Sequence, residues 1–229
     1  VAIYKDLKKI LFFDVVQPSN LGFHRDLGAG TLGVEMSAHG EKIITNCGGS
    51  EIGGKNPSYL KYSAAHSTII LDNTNISEIK EKGFQGDFVK KVHFEEKDDE
   101  KLQILSGSHN GYVKNFKKIC KRALFVSKES ELVRGEDTII STKSIVKKNV
   151  YHLRFHLMPE ISTTMTENKK NIIIKTKKNS IWMFRSNKEM VIEKSIFVRD
   201  DIANETTQIV ISGITSLLKT KVEWSIEKI

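Results

Sequence analysis

The stretch Val150–Leu157, Val-Tyr-His-Leu-Arg-Phe-His-Leu, decides the fold class because its apolar and polar side chains alternate strictly. One side of an extended chain would carry the apolar set Tyr151, Leu153, Phe155 and Leu157. The other side would carry the cationic or titratable set His152, Arg154 and His156. This period of two is typical of a β-strand with one buried face. We therefore predict a strand here that ends before Pro159.

Short segments of the same kind recur along almost the whole chain. We count about fifteen of them, separated by Gly, Asn and Lys turns, and no long segment has helical periodicity. Turns are predicted at Ser108–Tyr112 and Arg134–Asp137, where turn-forming residues cluster. No Pro- or Ser-rich linker interrupts the pattern. These features predict an all-β protein, a large antiparallel β-sandwich of the super-sandwich type with few or no helices, and residues 1–229 as one domain.

Composition restricts the class of protein further. A chain of 229 residues with 39% hydrophobic and 28% charged residues is typical of a globular domain. The formal charge of +8 suits an acidic partner, but the lysines are dispersed and no nucleic-acid motif occurs, so we expect no nucleic acid. No apolar run approaches the ~20 residues of a spanning helix, and no signal peptide is visible. Cys47 and Cys120 form no metal or redox motif and are expected to be partly buried thiols.

A histidine at the entrance to a second predicted strand is the main candidate for function. Ser63-Ala64-Ala65-His66-Ser67-Thr68 runs directly into Ile69-Ile70-Leu71. The small alanines would let backbone or ligand approach closely, and the flanking hydroxyls offer hydrogen-bond partners to the imidazole. Two interpretations remain open at this point, a buried structural histidine or a residue of a binding site.

Several blocks in this order and spacing extend over nearly the whole chain. They are Gly30–Ser37, Thr45–Gly48, Ala64–Thr68, Ser108–Tyr112, Arg134–Asp137, Arg154–Pro159 and Gln208–Val210. The succession resembles the C-terminal β domain of bacterial heparinase II/III-like proteins. The resemblance implies a β-sandwich behind an N-terminal α-helical toroid, in a lyase that cleaves uronic-acid-containing polysaccharide by β-elimination. It also implies a periplasmic or cell-envelope location and a parent chain longer than this one.

The resemblance also bears on metal binding, since some members hold zinc through two histidines and an aspartate. His66 matches one of these histidines. Gly28 stands where related chains have the other histidine, and Asn46 stands where they have the aspartate. One imidazole and one amide make a poor zinc site. Zinc is therefore disfavoured, His66 and Asp26 remain the only metal candidates, with His24 in the same loop as Asp26, and the cofactor is otherwise unknown.

The implied reaction assigns roles to particular residues. β-Elimination needs neutralisation of a uronate carboxylate, a base for the C5 proton and an acid for the leaving oxygen. We predict that His66 and Asn46 serve the first need. No motif marks Tyr59, Tyr62 or Tyr112 as the base. The chain is therefore expected to require the toroid, which in this family supplies a tyrosine.

Four further residues are predicted to contact the anionic polysaccharide: His109, Tyr112, Arg154 and His156. An alternative for Arg154 is an ion pair with Glu136 or Asp137, which would make this a structural polar face. Trp182 and Trp224 fit core positions better than sugar platforms. An alternative for the whole chain is a non-catalytic carbohydrate-binding or structural sandwich with a degenerate site.

Overall fold

The computed structural model describes residues 1–17, 28–49, 58–79, 89, 91–144 and 146–229. Within these residues it contains two short 3₁₀ turns, Ser58–Lys61 and Ser63–Ala65, and one single-turn helix, α1 Val113–Phe116. The strands, numbered in chain order, are β1 Ala2–Lys5, β2 Lys9–Phe13, β3 Val34–Ala38, β4 Glu41–Thr45, β5 Ile69–Leu71, β6 Val92–Asp98, β7 Leu102–His109, β8 Lys118–Ser127, β9 Val133–Ser141, β10 Val150–Leu157, β11 Ser162–Met165, β12 Asn171–Lys175, β13 Ile181–Ser186, β14 Met190–Arg199, β15 Ile202–Ile214 and β16 Lys219–Lys228.

The strands form two sheets, and every pairing between them is antiparallel. The first sheet has the order β1-β2-β3-β4-β10-β15-β14, with β5 also paired to β10. The second has the order β11-β12-β13-β16-β9-β8-β7-β6. The predicted all-β antiparallel sandwich is therefore confirmed. In the described part of the chain, no helix has the length and apolar character needed to cross a membrane.

The core lies between the two sheets, and β10 shows why. The predicted apolar face of β10 is buried, while the other face carries the polar residues. Phe155 packs edge-on against Phe184 of β13 and Trp224 of β16, with ring centroids 4.9 and 4.7 Å away. Trp182 is also fully buried. Both tryptophans therefore occupy the core, as their strand positions favoured.

One predicted turn is wrong. Arg134–Asp137 lies inside the continuous strand β9, with Gly135 and Asp137 facing the core. Gly135 stands opposite Trp224, and a Cβ at this position would overlap the indole ring. The glycine is therefore required by packing rather than by a turn. Two short strands, β1 and β11, were not predicted.

The topology brings two separate parts of the chain together beside β10. β10 pairs with β4 through His156 and Thr45, and with β5 through Leu153 and Ile69. The residues that follow β4 and those that precede β5 therefore meet near the C-terminal half of β10.

At the far side of the second sheet, β6 pairs with β7 and is the last strand in the described part of the chain. Its residues from His93 to Asp98 are exposed.

Candidate functional site

Buried hydroxyl groups on both sides of His66 form hydrogen bonds that hold this segment in place. His66 follows a 3₁₀ turn, and its own backbone is extended, with φ of −122° and ψ of 151°. The hydroxyl of Ser63 donates to the carbonyl oxygen of Ala29 at 2.8 Å, and that of Thr68 donates to the carbonyl oxygen of Thr31 at 2.8 Å. The hydroxyls of Ser67 and Thr68 were expected to serve the imidazole. Both donate to backbone carbonyl oxygens instead, Ser67 to that of Thr45 and Thr68 to that of Thr31.

Two glycines pack against the imidazole ring of His66. A Cβ at Gly30 would lie 2.6 Å from Nδ1, and a Cβ at Gly28 would overlap Nε2. Only glycine therefore fits at either position without displacement of the ring. The predicted close approach of backbone to His66 is present, but it comes from these glycines rather than from the neighbouring alanines. Gly28 is also the position at which related chains were expected to have a histidine.

The imidazole of His66 is uncharged at neutral pH. Burial lowers its pKa from 6.5 to about 4, because removal from water disfavours the imidazolium form. Its Nε2 atom is buried and has no hydrogen-bond partner among the described residues. A buried polar atom without a partner costs roughly 1–3 kcal/mol. The folded protein therefore bears this cost at Nε2, the nitrogen against which Gly28 packs.

Asn46 lines the same cavity as His66, so the structure brings together the two predicted carboxylate-neutralising residues. The amide of Asn46 already has partners: Nδ2 donates to Oε1 of Glu35 at 2.9 Å, and Oδ1 accepts from the backbone N–H of Gly48 at 2.8 Å. Glu35 in turn forms an ion pair with Lys42. Asn46 thus holds the segment that follows β4. Its direct role on substrate stays a prediction.

The cavity around His66 has a volume of about 680 Å³, within the roughly 300–1,000 Å³ of typical ligand clefts. We call it the His66 cavity. Its charged lining residues are Asp14, Glu35, Lys42, Lys61 and Arg199. Burial is the largest influence on the Asp14 carboxyl and raises its pKa. Among the described lining residues, three are cationic and two are carboxylates, and this small excess of positive charge suits an anionic ligand.

The described residues do not fit a metal ion. No group of three His, Cys, Asp or Glu side chains among them could hold one. His66 offers one nitrogen, Gly28 offers no side chain, and Asn46 is engaged with Glu35 and Gly48. His24 and Asp26 lie outside the described residues.

His109 and Tyr112, predicted to contact substrate, are both buried in the core. Nδ1 of His109 accepts the backbone N–H of Gly111 at 3.1 Å, and the hydroxyl of Tyr112 donates to the carbonyl oxygen of Thr74 at 2.9 Å. Burial lowers the pKa of His109 to about 3. The role of both residues in substrate binding stays a prediction, and their burial argues against it.

Arg154 and His156 lie on the outer face of β10, but neither lines the His66 cavity as the structure describes it. Arg154 donates to Glu193 at 3.0 Å. The predicted alternative pairing with Glu136 or Asp137 is therefore wrong, because those residues belong to the second sheet. His156 is buried beneath the 3₁₀ turn that leads to His66. The contact of either residue with substrate stays a prediction.

Arg122 is a residue that the sequence did not single out, although it is fully buried beneath the site. Its Nε donates to Oδ1 of Asp137 at 2.8 Å, and the other oxygen of Asp137 accepts from the indole N–H of Trp224 at 2.8 Å. Nη1 of Arg122 reaches the carbonyl oxygens of Leu32 and Ser67. The alternation of side chains along β8 places Arg122 on the buried face, and this alternation is the one sequence feature that could have predicted its burial.

These features define the chain as an antiparallel β-sandwich with a cavity built around one histidine. It belongs to the heparinase II/III-like, C-terminal family, whose sequence model matches residues 2–225. The resemblance noted from the sequence is thereby confirmed. No match was found among curated proteins.

Solved structures with a similar fold include two enzymes of this group. Heparan sulfate lyase HepC from Pedobacter heparinus has a TM-score of 0.77 at 12% identity, with 96% of this chain and 33% of that chain covered. A heparinase III structure has a TM-score of 0.73 at 14% identity, with 96% and 33% covered. At these identities the likeness shows the fold alone. This chain spans about a third of the length of each.

Proposed function

We propose that this chain is the β-sandwich portion of a polysaccharide lyase that cleaves uronic-acid-containing polymers by β-elimination. The observation that carries the proposal is the position of His66, whose side chain lines a cavity of about 680 Å³ together with Asn46, Lys42 and Arg199. Membership of the heparinase II/III-like family supports the same class. We further propose that a bacterial parent protein acts in the periplasm or cell envelope.

In this mechanism His66 binds the uronate carboxylate. The neutral imidazole donates one N–H to a carboxylate oxygen, and the nearby anion raises the imidazole pKa again. A hydrogen bond that grows stronger as charge moves onto the carboxylate lowers the barrier to loss of the C5 proton. The base takes that proton, the C4–O bond breaks as a C4–C5 double bond forms, and an acid protonates the leaving oxygen.

The base and the acid are proposed to come from an N-terminal α-helical toroid in the parent chain. None of the described residues that line the His66 cavity is a tyrosine. Its two carboxylates are also engaged, since Asp14 accepts the backbone N–H of Val16 and Glu35 pairs with Lys42. This chain therefore contributes carboxylate binding and shape, while proton transfer comes from the partner domain.

The cavity also supports a second candidate function, a non-catalytic carbohydrate-binding sandwich. The engaged amide of Asn46 and the absence of a tyrosine among the described lining residues both favour it. A non-catalytic domain would bind uronic-acid polymers and produce no unsaturated ends.

The test uses the natural full-length polypeptide that contains this chain. It is mixed with a panel of uronic-acid polymers, including heparan- and alginate-like ones, and ultraviolet absorbance of the unsaturated product is followed. We expect product from at least one polymer and its loss in His66→Ala, while Phe94→Ala, a change on the exposed strand β6, retains activity. Polymer binding without product would favour the non-catalytic function. A fully active His66→Ala protein would remove His66 from the mechanism.

A further inference from the structure

A second hollow lies on the other side of the backbone wall that bounds the His66 cavity. Cys47 and Ala65 line this hollow, whereas the residues that follow each of them, Gly48 and His66, line the cavity. Its volume is about 430 Å³. We call it the tyrosine groove, defined by Tyr59, Tyr62, Ala64, His156, Ser195 and Gln208.

Two exposed aromatic rings belong to the lining of the tyrosine groove. Tyr59 and Tyr62 are 45% and 41% exposed, so neither ring is used to fill the core. The N–H of Tyr62 donates to the carbonyl oxygen of Tyr59 at 3.2 Å, which is the hydrogen bond of a 3₁₀ turn. Side chains three residues apart eclipse in such a turn, so both rings project on the same side. Rings held in this way offer a surface on which a sugar ring can stack.

The lining of the groove also includes a buried hydrogen-bond acceptor. Gln208 is 7% exposed, and its Nε2 donates to the carbonyl oxygen of Lys194 at 3.2 Å. Its Oε1 atom is buried and has no partner among the described residues. An amide oxygen in this state favours a ligand that brings a hydroxyl or N–H donor.

The buried histidine in the lining of the groove carries no charge. Nε2 of His156 lies 2.9 Å from the carbonyl oxygen of Ala64, which can only accept, so this nitrogen carries the proton. Burial is the largest influence on this imidazole and lowers its pKa to about 3, so the ring is neutral and Nδ1 accepts the hydrogen bond of the Ser195 hydroxyl at 2.7 Å. The charged side chains that line the groove, Lys194 and Glu205, are exposed and of opposite sign. The groove therefore suits an uncharged ring better than a uronate.

We propose that the tyrosine groove binds an uncharged pyranose ring, stacked on Tyr59 and Tyr62 and donating a hydroxyl hydrogen bond to Oε1 of Gln208. That this ring belongs to the same polymer as the uronate in the His66 cavity rests on the proposed function. The groove then binds an uncharged sugar of this polymer, while the cavity binds the uronate.

The test is an NMR titration of this chain, labelled with ¹⁵N, with methyl glucoside and with glucuronate. Methyl glucoside should shift the amide signals of Ala64, Ala65 and Thr206 and reach saturation. Glucuronate should shift the same signals at least about fivefold more weakly. Methyl glucoside has no carboxylate and undergoes no elimination, so this result is separate from the lyase assay.

Variants assign the binding to the groove. Tyr62→Ala should weaken methyl glucoside binding about three- to tenfold through loss of stacking, while Tyr62→Phe keeps the ring and retains binding. Gln208→Leu should also weaken it, and Phe94→Ala, which removes an exposed ring elsewhere, should leave it unchanged. The absence of saturable shifts, equal binding of glucuronate, or shifts centred on Gly30 would each overturn the proposal and leave the lyase proposal standing.

Discussion

The guanidinium of Arg122 donates a 2.7 Å hydrogen bond from Nη1 to the carbonyl oxygen of Ser67, the residue that directly follows His66. Arg122 belongs to the second sheet, whereas Ser67 leads into β5 of the first. The contact therefore joins the two layers beneath the site. Because Arg122 is also paired with Asp137, its position is fixed from both sides. The orientation of the His66 corner thus depends on a buried ion pair that never reaches the cavity.

Replacement of Arg122 should show how strongly the corner depends on it. Arg122→Met leaves Asp137 buried without its cation, and we expect a loss of roughly 3–5 kcal/mol in the free energy of unfolding. The double variant Arg122→Met/Asp137→Asn removes the unpaired charge and should lose less. Urea denaturation measures both. This account would be contradicted if the double variant lost as much stability as Arg122→Met alone, or as much as the two single variants added together.

A methyl group at Gly28 should displace His66. Its Cβ would overlap Nε2 of the imidazole, so Gly28→Ala should cost roughly 1–3 kcal/mol of stability and move the imidazole NMR signals of His66. Gly49→Ala is the matched control, since a Cβ at this position meets nothing within 4 Å. Unchanged His66 signals in Gly28→Ala would show that the ring is not held by this glycine.

Buried neutral histidines should make the protein less stable in mild acid. Burial lowers the pKa of His109 from 6.5 to about 3. As the pH falls below 6.5, the unfolded chain takes up a proton that the folded chain does not, so stability declines from about pH 6.5 towards about pH 3. His109→Gln removes this proton uptake. A plot of unfolding free energy against pH should then be shallower for the variant, and an identical slope would refute the assignment.

The two thiols should react slowly in the folded protein. Burial is the largest influence on both Cys47 and Cys120 and raises the pKa of each, which suppresses the reactive thiolate. Cys47 is 6% exposed and borders the tyrosine groove, whereas Cys120 is 1% exposed, so Cys47 should react first. An aromatic disulfide reagent with and without urea measures the rates, and Cys47→Ser should leave only the slower phase. Rapid labelling of Cys120 in the native state would contradict this order.

The strand pattern was readable from the sequence wherever the two faces of a strand differ. Val150–Leu157 is a strand with the predicted bounds because its alternation separates a buried face from a polar one. The prediction of a turn at Arg134–Asp137 was wrong, because a glycine and an aspartate are typical of turns but lie inside β9 here. Gly135 instead makes room for Trp224, and Asp137 pairs with Arg122. Both reasons depend on the order of strands in the sheet, which composition does not contain.

The candidate site was only partly readable. His66 and Asn46 were matched through the family resemblance, and the structure places both in one cavity. The burial of His109 and Tyr112 could not be read from their motif, since a turn of this composition is equally common at a surface. The polar face of β10 was predicted correctly. The 3₁₀ turn that covers His156 could not be foreseen from that strand alone.

The charges of strand β6 bear on whether two copies of the protein can associate through their sheet edges. An open sheet edge invites a strand from another molecule to add to it. Glu95, Glu96 and Asp98 place three carboxylates on this exposed strand, with Lys97 among them. A second copy that paired here edge to edge would place two strands of net negative charge side by side. In the described part of the chain β6 is the last strand of its sheet, and we expect its net negative charge to disfavour edge-to-edge pairing of two copies there.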